Sequence, residues 1–258
     1  MINTIFFDLD DTLLWDEKSV QKAFEATCNY AATFHEIQPS DLEHAVRMHA
    51  RELYASYDTY EFTKMIGINP FEGLWGNFND AGDDFQKMKE IVPQYRRDAW
   101  TKGLQALGIN DIELAAVLAE RFPAERKKVP FLFDDALPIL EKLSKDYSLL
   151  MLTNGSPELQ NVKLTITPEL EPYFDEIIIS GAYGRGKPDV TIFDYALNKI
   201  DKKKEEVLMV GDNLMTDILG ANRTGIKSVW LNRFEKERND VTPDYEIKNL
   251  DELMELLK

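Results

Sequence analysis

A single cysteine, Cys28, occurs among the 258 residues. No intramolecular disulfide and no multi-cysteine metal site can form, and nothing points to an oxidising compartment. Long apolar runs are missing as well. No uninterrupted stretch approaches the roughly 20 residues that a bilayer crossing needs. The opening segment, Met1 to Asp8, lacks a basic region and meets an acid after a handful of apolar residues, a pattern foreign to a secretory signal. A cytoplasmic location is the expectation. Positive charge is scarce: 30 Lys and Arg stand against 46 Asp and Glu, a formal net charge of -16. A field of that sign repels nucleic acid and anionic membrane surfaces, so neither is expected as a partner. It also repels a phosphorylated metabolite. Any phosphate site must therefore carry its own positive charge from a metal, a lysine or backbone amides. Low-complexity tracts and internal repeats are absent, which sets solenoids and propellers aside.

What is present is a hydrophobic content of 44%, enough for a sizeable core. Short apolar runs rich in β-branched and aromatic residues predict strands at Ile2 to Asp8, Ser148 to Thr153, Glu176 to Ser180, Glu206 to Gly211 and Lys227 to Leu231. Helix-like segments separate the later runs, which implies an α/β fold with a parallel, doubly wound sheet. More than a hundred residues without a convincing strand follow the first run, too many for one crossover. Helical periodicity there spans Ser19 to Gln38, Asp41 to Ile66, Asp83 to Leu107 and Asp111 to Phe122, with caps expected at Pro39-Ser40-Asp41 and Asn110-Asp111. The expected organisation is a Rossmann-like core of residues 1–16 and 128–258 carrying an inserted helical cap, 17–127. Asp134 to Lys145 reads as the helix that returns the chain to the sheet.

Ligands of such sheets bind beyond the carboxyl ends of the strands. The runs end on Asp8, on Thr153-Asn154, on Gly181 leading toward Lys187, and on Gly211-Asp212-Asn213 with Asp217 following. An insertion leaving one of those ends is expected to lie over the crevice as a lid. In Asp8-Leu9-Asp10 the two acids share one face of an extended segment. A third acid at Asp212 makes a carboxylate cluster that a hard divalent cation would neutralise. Each signal also has an ordinary reading: an acidic turn capping a helix, a Gly-Asp-Asn turn, a surface lysine, a Thr-Asn-Gly turn.

Four such signals in one order, each ending an apolar run, resemble the haloacid dehalogenase (HAD) superfamily, in its phosphatase branch with a helical, type C1 cap. Asp8 to Thr12 match the first motif, Thr153 the second, Lys187 the third, and Asp212 to Asp217 the fourth. The resemblance implies hydrolysis of a small phosphate monoester through an aspartyl-phosphate on Asp8. Asp10 is then the acid and base, and Mg2+ is held by Asp8, the Asp10 carbonyl and Asp212, with Asn213 and Asp217 behind them. Thr153 and the Asn154 amide bind the phosphoryl oxygens, and Lys187 offsets charge. Val190 departs from the proline frequent at that position, which touches loop stiffness alone. The Thr-Asn-Gly form of the second motif and the large cap lean toward the nucleotidase and acylneuraminate-phosphatase branches, with sugar phosphates, phosphoglycolate and nucleoside monophosphates as candidate substrates for a monomer or weak homo-oligomer.

Asp10 argues against a dehalogenase, which has no alkoxide to protonate. A phosphosugar mutase would keep both aspartates. Gly181 to Lys187 matches a P-loop except that Pro188 stands where Ser or Thr should hold magnesium. A non-catalytic scaffold is at odds with intact acids at every motif. In the cap, Arg47, Arg96, Arg97, Trp75 and Trp100 are candidates to grip a substrate, although such side chains more often cover core or face solvent.

Overall fold

The computed structural model describes residues 1–238 and 240–257. The chain forms two compact units, one of Met1–Trp15, Leu132–Pro157 and Thr167–Lys258, the other of Asp16–Phe131 and Glu158–Ile166.

The first unit is built on strands β1 (Thr4–Phe7), β2 (Ser148–Thr153), β3 (Glu176–Ile179), β4 (Val207–Gly211), β5 (Lys227–Leu231) and β6 (Tyr245–Ile247). They form one sheet in the order β3-β2-β1-β4-β5-β6, every neighbouring pair parallel. This is the α/β, Rossmann-like sheet that the strand–helix alternation predicts. Continuous apolar sequence suits strands covered on both faces. Phe6, Leu150, Leu152, Val207 and Met209 form one such layer with Ile192, Phe193, Ala196 and Leu197 of helix Val190–Lys199. The strand order runs outward from β1 to β3 and then reverses from β4 to β6, so the switch point falls between β1 and β4. Those two strands end on Phe7 and Gly211, immediately before Asp8 and Asp212. β6 was not among the expected strands; its three residues are too few to show a period.

The second unit is helical: Asp16–Ala31, Pro39–Ser56, Tyr60–Ile66, Pro70–Gly73, Asp83–Ala106 and Ile112–Lys128, with residues 158–166 of helix Pro157–Ile166. The long helix buries Phe85, Met88, Val92, Tyr95, Arg96, Ala99, Trp100, Gly103 and Leu104, one stripe at helical spacing. At Gly103 a Cβ would lie 2.3 Å from Val46 Cγ2, so glycine lets that helix approach Pro39–Ser56. The segment predicted as one helix from Asp41 to Ile66 is two, parted around Tyr57 in extended backbone. Gln38, not Ser40 or Asp41, takes the cap position, with Pro39 beginning the helix. Asp111 caps as expected, accepting from Leu114 N at 2.9 Å. Its helix continues past Pro123 to Lys128, where the sequence reading ended it at Phe122. Phe122, Pro123 and Arg126 are all buried there, and packing outweighs the lost backbone donor.

Residues 158–166 belong to this helical unit, although the sequence reading placed everything after 128 in the core. Leu159 packs among its apolar side chains, and Lys163 Nζ pairs with Glu72 Oε1 at 2.9 Å and with Asp16 Oδ1 at 3.7 Å. Asp16 also pairs with Arg126, which lies over the Trp75 ring. Two cations and two carboxylates thus balance inside the unit, the condition under which buried charge is tolerated. The candidate grips take structural partners instead. Arg96 donates to the carbonyls of Gly73 and Gly76, Trp75 and Trp100 are fully buried, Arg47 pairs with Glu43 over Phe24, and Arg97 bonds Gln94. No helix among the described residues is long and apolar enough to cross a membrane.

Candidate active site

Past β1 the chain turns tightly. Asp11 sits at φ 60° and its amide donates to Leu14 O at 2.6 Å, while the amides of Leu13 and Leu14 donate to Leu9 O. An aspartate tolerates that left-handed backbone better than most residues. The turn carries Thr12 back beside the strand end, where its Oγ1 donates to Asp8 Oδ2 at 3.2 Å and accepts from Asp212 N at 3.1 Å. One buried hydroxyl thereby ties the end of β1 to the end of β4. Thr12 was read from sequence as part of a motif without a role of its own; its partner lies 200 positions away, and nothing local announces it.

Asp8, Asp212 and Asp217 converge: one carboxylate oxygen from each lies within 4.8 Å of the others. Asp217 reaches them because the segment Leu214–Ile218 winds as a single π turn, with Asp217 Oδ2 accepting from Asn213 N at 3.1 Å. At Gly211 a Cβ would meet Asp217 Oδ2 at 2.3 Å, so the glycine ending β4 makes room for that acid. Asp217 is buried within the cluster, whereas the resemblance placed it behind the ligands. Asn213 is exposed and caps the turn, its Oδ1 accepting from Met215 N at 2.8 Å.

Lys187 reaches the cluster from the loop after β3. Its ammonium donates to Asp8 Oδ1 at 2.7 Å and Leu152 O at 2.6 Å, and pairs with Asp217 Oδ1 at 2.6 Å. Asn154 holds the lysine's backbone, donating from Nδ2 to Lys187 O at 2.9 Å and accepting at Oδ1 from Lys187 N at 2.8 Å. Thr153 is buried at the end of β2, and Asp10 is half-buried just beyond Asp8. The segment from Gly181 to Lys187 is not a P-loop. Helix Ser180–Tyr183 occupies the start of that segment, Asp189 caps the following helix, and the lysine is engaged by acids.

Burial raises the Asp8 carboxyl to about 6, with Lys187 pulling it down and Asp217 pushing it up. Burial and the charge of Asp8 raise Asp212 to about 6 as well, against the pull of Lys236. Burial raises Asp217 despite Lys187. For Lys187 burial acts downward, but the carboxylates of Asp217 and Asp8 outweigh it and raise the ammonium above its ordinary value. Three crowded acids that resist ionising, sharing one fixed ammonium, form a hard-oxygen donor set short of positive charge. That set fits a divalent cation such as Mg2+, which would draw the acids back toward their ionised forms.

The comparisons agree with this geometry. A phosphoserine phosphatase of Thermus thermophilus is 30% identical over 250 residues, 96% of each chain. The solved structure of the HAD-hydrolase YfnB from Bacillus subtilis, bound to magnesium, superposes with a TM-score of 0.70 at 22% identity, covering 100% of this chain and 99% of that one. A 2-haloacid dehalogenase from Pseudomonas syringae superposes with a TM-score of 0.59 at 26% identity, covering 100% and 98%. The family profile described as haloacid dehalogenase-like hydrolase matches residues 2–225, a span that takes in every motif of the site. With its acids gathered at the switch point of a parallel sheet, the chain belongs to the haloacid dehalogenase-like hydrolases.

Proposed function

We propose that the protein is a magnesium-dependent phosphatase acting on a small phosphate monoester through an aspartyl-phosphate on Asp8. The observation that carries the reading is the joint hold of Lys187 on Asp8 and Asp217 beside Asp212, an arrangement that suits one cation and a phosphoryl group. A Thermus relative named for phosphatase activity and spanning nearly the whole chain supports it. The presence of Asp10 favours a phosphate over a halide leaving group.

In this reading an Asp8 oxygen attacks phosphorus as the bond to the leaving oxygen breaks, and Asp10 gives that oxygen its proton. Asp10 then takes a proton from water as the water attacks the phosphorus of the aspartyl-phosphate, releasing inorganic phosphate and restoring the Asp8 carboxylate. Thr153 and the Asn154 amide hold the phosphoryl oxygens, and Lys187 offsets the charge shared by Asp8 and phosphate. Asp8, the Asp10 carbonyl and Asp212 hold Mg2+, with Asn213 and Asp217 in support; the bound cation supplies charge neutralisation for the transferring group. The same reading has a cytoplasmic monomer or weak homo-oligomer acting on a phosphorylated metabolite.

Release of phosphate is to be measured across phosphoserine, sugar phosphates, phosphoglycolate and nucleoside monophosphates, with and without Mg2+. Metal-dependent phosphate release that is lost in Asp8→Asn supports the proposal. Accumulation of an isomer in place of phosphate identifies a mutase, and halide release from a 2-haloacid a dehalogenase. An Asp8→Asn enzyme with normal turnover rejects the mechanism.

A further inference from the structure

A second lysine approaches the cluster, and it is mounted as Lys187 is. Lys236 N donates to Asn232 Oδ1 at 2.7 Å, and Asn232 Nδ2 donates back to Lys236 O at 3.0 Å, the pattern by which Asn154 holds Lys187. Asn232 is 5% exposed and stands just past β5. Its own amide donates to Ile247 O at 2.7 Å, and its Nδ2 donates also to Glu246 Oε1 at 2.7 Å, both on β6. The backbone of Lys236 is therefore fastened to the sheet. From that mount its Nζ reaches Asp212 Oδ2 at 3.2 Å. Lys187 serves Asp8 and Asp217, and Lys236 serves Asp212.

We infer that Lys236 is a tethered competitor of the divalent cation for Asp212, and that Asn232 sets the strength of that competition by holding the lysine's backbone. The inference rests on the proposed reading of Asp8, the Asp10 carbonyl and Asp212 as the holders of Mg2+. A cation bound through Asp212 and an ammonium on the same carboxylate repel, so uptake of one weakens the hold of the other. The lysine side chain is 53% exposed against 15% for Asp212, so the ammonium can swing into water when displaced. Such a half-exposed pair is worth little, which makes the competition tunable and not prohibitive. Binding is thus an exchange of a weakly held internal cation for Mg2+.

The test is calorimetric titration of the intact protein with MgCl2 at fixed low ionic strength. Lys236→Met is expected to bind about two- to fivefold more tightly than the parent. Lys248→Met, which removes an equal charge from a lysine paired with Glu235, corrects for the general effect of net charge and is expected to gain less. Asn232→Ala, which changes no charge, is expected to shift affinity in the same direction as Lys236→Met, and the double variant to bind no more tightly than Lys236→Met alone. Unchanged or weaker Mg2+ binding by Lys236→Met, or a gain equal to that of Lys248→Met, overturns the inference and leaves the metal reading intact. A parent protein that binds no divalent ion rejects both.

Discussion

Asn154 and Lys187 are joined by two hydrogen bonds running in opposite directions, so one amide side chain fixes both the N–H and the carbonyl of the residue that bridges Asp8 and Asp217. Against this amide the chain also needs a residue without a side chain, because a Cβ at Gly186 would lie 2.7 Å from Asn154 Oδ1.

Asn154→Ala is therefore expected to lower kcat roughly 10- to 100-fold by releasing the loop that aims Lys187. Gly186→Ala, which crowds the same amide, should lower it in the same direction. Steady-state kinetics on the best substrate of the panel, with circular dichroism to show an intact fold, provides the check. Full activity in both variants would reject the clamp as a determinant of catalysis.

Removing the ammonium itself is expected to cost more than activity. In Lys187→Met the buried Asp8 and Asp217 lose their common partner, a loss of about 3–5 kcal/mol for broken buried ion pairs. Urea unfolding of the parent and the variant measures it. A difference below about 1 kcal/mol would mean the two acids find other compensation.

The helical unit has its own acid sensitivity. Burial alone would raise the Asp16 carboxyl, but Lys163 and Arg126 outweigh it and hold it below its ordinary 3.8. A carboxyl lowered by folding stabilises the fold above the unfolded value, and that contribution is lost as pH falls through the folded value. Melting temperatures of the parent are expected to fall below about pH 4 more steeply than those of Asp16→Asn, which has no proton to take up. Parallel acid limbs would show that Asp16 does not carry the effect.

Cys28 lies wholly buried in the helical core, and burial pushes its thiol well above the ordinary range. A neutral disulfide reagent is expected to leave the folded protein unmodified and to label it at the rate of unfolding in denaturant, since the thiolate is the reacting species. Labelling within seconds under native conditions would contradict this packing.

Much of the candidate site was legible because three of its residues close apolar runs: Asp8, Thr153 and Asp212 each mark where a strand meets its loop, and the strand ends share an edge once the sheet is parallel. Strand bounds at Ser148 to Thr153 and Lys227 to Leu231 match to the residue. What stayed hidden depends on contacts distant in sequence. Lys236 is one lysine in a charged stretch, with no pattern to separate it from Lys248; only the reach of its Nζ to Asp212 does so. Asn232 is fastened to β6, and Thr12 acts through Asp212 just past the end of β4. Helix Pro157–Ile166 reads from sequence as an ordinary layer of the core, yet Leu159 and Lys163 commit it to the helical unit.

That commitment governs how the helical unit can be made or moved. Its parts are separated by the stretch that supplies β2, so during synthesis the unit stays short of its last helix until that strand has left the ribosome. A graft of residues 16–131 onto another scaffold would arrive with Glu72 missing the Lys163 ammonium and an apolar hole where Leu159 packs. Transfer of this unit between relatives therefore requires two segments from the donor, and residues 158–166 must travel with the rest.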